Sequence, residues 1–129
     1  MTTVLVIDDE EGIRNLLDTL RSRKGYDMVQ AQSGQKGLMR FRLSRPDFVV
    51  LDLNMPEMNG LDMLVELTRE FLHTKVIAIS GAGGEHNGLD ASKLLGARRT
   101  FLKPFSLPRL LDAGRYERDH RRRRPAARF

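Results

Sequence analysis

The sequence predicts an α/β domain, a doubly wound parallel sheet of five strands with helices on both faces. Three observations predict it. Short apolar runs of strand length alternate five times with stretches whose apolar residues recur at helical spacing, and such alternation implies parallel strands joined by crossover helices. The run 48–51, Phe-Val-Val-Leu, is continuously apolar, as a strand buried on both faces must be. Asp8, Asp52, Ser80 and Lys103 stand at the carboxyl ends of four of these runs, the rim at which parallel sheets bind ligands.

The elements follow in order. Residues 4–7 (Val-Leu-Val-Ile) form a first strand that runs into Asp8-Asp9-Glu10, and Ile13, Leu16, Leu17 and Leu20 then recur at helical spacing until Lys24-Gly25. Residues 28–31 make a weaker second strand, and Ser33 caps a helix carrying Leu38 and Phe41 to about residue 43. The third strand is 48–53. After a loop at 55–60, Leu61, Leu64, Val65, Leu67 and Phe71 mark a third helix, and 76–80 (Val-Ile-Ala-Ile-Ser) a fourth strand. Residues 81–84 open a flexible loop; a fourth helix at about 89–95 is stopped by Gly96. Strand five is 100–103, and Ser106 caps a last helix with Pro108 in its first turn and Leu107, Leu110 and Leu111 facing inward. Beyond Leu111 the pattern fails: Gly114 interrupts it and the arginines at 121–124 must be solvated. The last helix is therefore expected to be short or frayed, with disorder from about residue 121.

At 129 residues and 40% hydrophobic composition the chain makes one domain with a real core. There are no cysteines, which excludes disulfides and thiolate metal sites. No run reaches membrane-span length, and the opening residues lack the basic start of a signal peptide, so a cytoplasmic chain without membrane contact is expected. The net charge of +5 is not spread evenly: residues 115–129 hold seven arginines against Glu117 and Asp119, and the remainder is neutral. The expected division is a domain at 1–114 and an Arg-rich tail at 115–129.

Asp8, Asp9 and Asp52 at one rim would repel one another unless a cation joined them. A hard divalent ion answers that problem, and Mg²⁺ fits best because it takes one or two carboxylates and accepts phosphate oxygens. Lys103 and Ser80 on the far side then offer a positive charge and a hydrogen bond to a phosphoryl group. A carboxylate can itself be the nucleophile and form an aspartyl phosphate. Asp52, alone on the central strand and expected to be exposed so that it can be reached, is the candidate.

On these residues the sequence resembles the receiver domains of two-component response regulators. The resemblance rests on Asp8-Asp9, on Asp52-Leu-Asn-Met-Pro-Glu-Met-Asn-Gly60, on Ser80 and on Lys103-Pro104, and covers residues 2–113. It implies a flavodoxin-like sheet of order 2-1-3-4-5 and a place in phosphorelay signal transduction. Asp52 would take a phosphoryl group from a histidine kinase or histidine phosphotransfer protein. Asp9, Asp52 and the backbone carbonyl of Asn54 would bind Mg²⁺ (alternatively Mn²⁺), with Asp8 acting through water. Lys103 would contact the phosphoryl oxygens, its bond to Pro104 being cis. Ser80 and Phe101 would switch together, altering a surface for an unknown output protein, and the residues at Asn54 and Ala82 would influence dephosphorylation. Such a chain is a phosphoacceptor rather than an enzyme.

Other readings are less well supported. A Mg²⁺-dependent phosphatase with an aspartyl phosphate would carry its nucleophile after strand one and an aspartate two residues on, but Glu10 and Asn54 stand at the corresponding places. The loop 81–88 lacks the Lys-Ser/Thr ending of a P-loop. His73, His86 and His120 have no partner at metal-ligand spacing. The basic tail would at most contact nucleic acid nonspecifically, through charge.

Overall fold

The computed structural model describes residues 1–22, 25–55, 59–81 and 88–120. Five strands, β1 (Thr2–Ile7), β2 (Tyr26–Ala31), β3 (Phe48–Asp52), β4 (Val76–Ser80) and β5 (Arg99–Leu102), alternate with α1 (Glu11–Asp18), α2 (Gly34–Ser44), α3 (Gly60–Glu70), α4 (Leu89–Leu94) and α5 (Leu107–Asp119). The sheet is parallel in the order β2-β1-β3-β4-β5. Leu51 at its centre pairs with Ile7 on one side and Ala78 on the other. This is the flavodoxin-like order.

Strand alternation sends successive side chains to opposite faces, so the sheet divides the core in two. Leu5, Ile7, Val49, Leu51, Val76 and Ala78 face Phe41, Met63, Leu64, Leu67 and Leu89 from α2, α3 and α4. Val4, Val6, Phe48, Val50, Ile77 and Ile79 face Leu17, Leu110 and Leu111 from α1 and α5, together with Leu20 from a 3-10 turn, Thr19–Ser22, that continues α1. The helix starts follow local chemistry. Ser33 accepts a hydrogen bond from the Lys36 N–H at 3.2 Å and Ser106 one from the Arg109 N–H at 3.4 Å, each satisfying a donor that has no partner within its own helix.

Two expectations need correction. Leu16, placed by period on the inner face of α1, is 41% exposed, because Ile13, Leu17 and Leu20 already cover the sheet there. The last helix is neither short nor frayed: α5 runs 13 residues to Asp119, so residues 115–119, assigned to the tail, belong to a helix. Phe48 fills the space that a side chain at Gly114 would take. Polar groups hold the final turns. Lys75 Nζ donates to the Arg118 carbonyl at 2.9 Å, Arg115 Nε to the Tyr26 hydroxyl at 2.6 Å, and the Arg118 guanidinium to Thr2 Oγ1. Glu117, buried on α5, pairs with Arg99 Nε at 3.4 Å. The arginine-rich stretch 121–129, on which the nucleic-acid reading depends, lies outside the described residues, as do Ala82 and His86.

Candidate functional site

The strand ends converge because the ladder continues past them. The Asp8 N–H donates to the Ala31 carbonyl at 3.1 Å, Leu53 N–H to Ile79 at 2.9 Å and Lys103 N–H to Ser80 at 2.8 Å. These bonds fix Asp8, Asp52, Ser80 and Lys103 along one rim. Lys103–Pro104, which continues from β5, is a cis peptide bond.

Each of the two inner carboxylates is oriented by its own turn. Asp8 Oδ1 accepts from the Glu10 N–H at 2.8 Å and Asp52 Oδ1 from the Asn54 N–H at 3.0 Å, the local bonding that aspartate favours in turns. The other oxygens, Asp8 Oδ2 and Asp52 Oδ2, are buried and accept no hydrogen bond. They face Lys103 Nζ at 3.2 and 3.5 Å. The ammonium gives its hydrogen bond instead to Glu10 Oε1, at 2.7 Å.

Oxygens of Asp8, Glu10 and Asp52 lie within 4.8 Å of one another. Three carboxylates against one ammonium, with two buried oxygens lacking a hydrogen bond, are a donor set that suits a hard divalent cation. Burial pushes the Asp8 carboxyl up from 3.8 to about 6; the Glu10 N–H draws it down, the Asp52 charge adds to the rise and the Lys103 charge opposes it. Burial also disfavours the Lys103 charge, but the Glu10 hydrogen bond and the charges of Asp8 and Asp52 outweigh it and raise the ammonium above its ordinary value.

Ser80 is buried beside them, and its Oγ accepts from Asn54 Nδ2 at 2.5 Å. Phe101 is half-buried against the α1/α5 core and borders a groove of about 400 Å³ with Arg99, Arg109, Asp112, Ala113 and Tyr116.

Residues 4–115 match the family of the response regulator receiver domain. The chain belongs to that family. Over 110 residues this receiver domain is 36% identical to sporulation initiation phosphotransferase F of Bacillus subtilis, a match covering 85% of the chain and 88% of the relative. It is 32% identical to chemotaxis protein CheY of Thermotoga maritima, covering 85% and 92%. Among solved structures, a response regulator receiver domain protein from Clostridium thermocellum superposes with a TM-score of 0.80 at 30% identity, covering 92% of this chain and 95% of that one.

Of the residues singled out from sequence, the receiver domain brings Asp8, Asp52, Asn54, Ser80 and Lys103 together. Two placements differ from expectation. Asp9 is exposed and outside the carboxylate cluster, its place taken by Glu10. Asp52 is not exposed at the rim: it is 1% accessible, with the Lys103 ammonium lying against its Oδ2. Glu10 escaped the sequence reading because its partner is 93 residues away. The one local signal was a third acid directly after the acidic pair.

Proposed function

We propose that this receiver domain accepts a phosphoryl group on Asp52 from a phosphohistidine of a histidine kinase or phosphotransfer protein, and that the modification alters a surface read by an output protein. The observation that carries the reading is Asp52 Oδ2, buried without a hydrogen bond beside Asp8 and 3.5 Å from the Lys103 ammonium. In the transfer, an Asp52 carboxylate oxygen bonds to phosphorus as the phosphorus–nitrogen bond of the donor breaks, and the departing imidazole keeps that electron pair. Catalysis of such a step is mainly positioning and charge neutralisation.

Asp8 and Asp52 would hold a Mg²⁺ ion, with exposed Asp9 and the Asn54 carbonyl as further oxygens nearby. The ion would neutralise charge on the phosphoryl oxygens. Lys103 pairs with the phosphoryl group from the other side. Ser80, released from Asn54, donates its hydroxyl to the group, and Phe101 moves with it into the β5–α5 groove, so that packing there reports the state of Asp52. The chain is thus an acceptor that modifies itself rather than an enzyme. None of its described helices is long and apolar enough to cross a membrane.

The test is intact mass after treatment with acetyl phosphate, with and without Mg²⁺, on wild type and Asp52→Asn. One phosphate adduct that requires both the ion and Asp52 is expected. An adduct that persists in Asp52→Asn, or none on the folded wild type under rapid quench, would overturn the assignment.

A further inference from the structure

We propose that Glu10 is a positioning residue for Lys103: in the unphosphorylated chain it takes the ammonium's shortest contact and so limits how closely the ammonium pairs with Asp8 and Asp52. This rests on the phosphoacceptor reading only in its last step, the transfer of Lys103 to a phosphoryl oxygen.

The geometry singles out Glu10 among three candidate partners. Lys103 Nζ is 2.7 Å from Glu10 Oε1, against 3.2 Å from Asp8 Oδ2 and 3.5 Å from Asp52 Oδ2, so the Glu10 contact is the shortest of its three ion pairs. Asp8 and Asp52 are buried, whereas the Glu10 side chain is 57% exposed and that of Lys103 only 10%. The ammonium's shortest contact is thus with the most solvated of its three anions.

The backbone prepares Glu10 for this reach. It occupies the N-cap of α1 in an extended conformation, where a short polar side chain would normally cap the helix, yet it makes no side-chain cap bond. Its N–H is instead fixed to Asp8 Oδ1. The side chain therefore starts from the pocket wall and is free to span to β5.

The consequence is competition for the buried oxygens. Without Glu10, the nearest anions left to the ammonium are Asp8 Oδ2 and Asp52 Oδ2, the oxygens a cation would use. With Glu10 present the ammonium is shared among three anions rather than two, and a partly exposed ion pair is weak enough to be exchanged when a phosphoryl dianion arrives.

A double-mutant cycle separates this role from a simple effect of charge. Mg²⁺ affinity of the unphosphorylated full chain is measured by calorimetry for wild type, Glu10→Gln, Lys103→Met and the double variant, alongside the Lys103 ammonium resonance in metal-free protein. Glu10→Gln is expected to weaken binding about three- to fivefold with lysine at 103, the size of a partly exposed ion pair's contribution, to change it little with methionine there, and to move the Lys103 resonance. An equal loss in both backgrounds would mean that Glu10 acts on the ion directly. That result, an unmoved Lys103 resonance, or a wild type that binds no Mg²⁺ would each overturn the proposal. If the cycle behaves as expected and no Asp52 adduct forms, the phosphoacceptor reading fails alone. If the adduct forms and the cycle is additive, the positioning role fails alone.

Discussion

Asp8 has one oxygen held by the Glu10 N–H and the other buried without a hydrogen bond, 3.2 Å from the Lys103 ammonium, so a charge there bears the cost of burial. Its folded value of about 6 lies above the ordinary 3.8, so between those values the folded chain keeps a proton that the unfolded chain has released. The resulting stabilisation is complete below about pH 4 and is lost as the pH rises through about 6. The full difference corresponds to roughly 3 kcal/mol. Asp8→Asn removes this titration while keeping an acceptor for the Glu10 N–H. In urea unfolding without divalent ions, the variant should therefore gain on wild type by roughly 1–3 kcal/mol between about pH 4 and about pH 7.5. A stability gap independent of pH would show that Asp8 is not the group responsible.

Helix α5 shows how an element can form where its apolar pattern stops. Its first half is held by Leu110 and Leu111 in the core, and its second half by Lys75, Tyr26, Thr2 and Arg99. Gly114 joins the halves by letting the helix lie directly on the Phe48 ring. Substitution of a helical glycine by alanine ordinarily gains about 1 kcal/mol. At Gly114 the added methyl would meet a fully buried ring, and overpacking of that kind costs about 1–3 kcal/mol. Gly114→Ala should therefore destabilise by about 1–2 kcal/mol, whereas Gly12→Ala in α1, where nothing lies within 4 Å of the new methyl, should stabilise by up to about 1 kcal/mol. Denaturant midpoints of the two variants check the pair, and a shared sign would refute the packing account. Periodicity missed this half of α5 because it registers apolar side chains, and here the contacts are polar or come from a residue with no side chain.

Taken as a whole, the molecule places a doubly buried sheet behind a rim of unbalanced charge. Stability and site are coupled through that rim, because an ion bound only by the folded chain stabilises it by mass action. Mg²⁺ at about a hundredfold excess over its dissociation constant should add about 2.7 kcal/mol at neutral pH, reversed by chelator and blunted in Asp52→Asn. Thermal unfolding with and without the ion measures it. An increment unchanged in Asp52→Asn would put the ion somewhere else.

Strand and helix order, the two-sided burial of β3 and the placing of Asp52, Ser80 and Lys103 at one rim were all legible in the chain, because each is written in neighbouring residues: an apolar run, a helical period, a polar residue where the run ends. What could not be read was which groups meet once the rim is assembled. The burial of Asp52, the entry of Glu10 in place of Asp9, the Asn54–Ser80 hydrogen bond and the seat of Gly114 on Phe48 all join residues from separate elements. Such contacts depend on sheet order, register and the direction in which each turn aims its side chain. Local pattern carries none of that information.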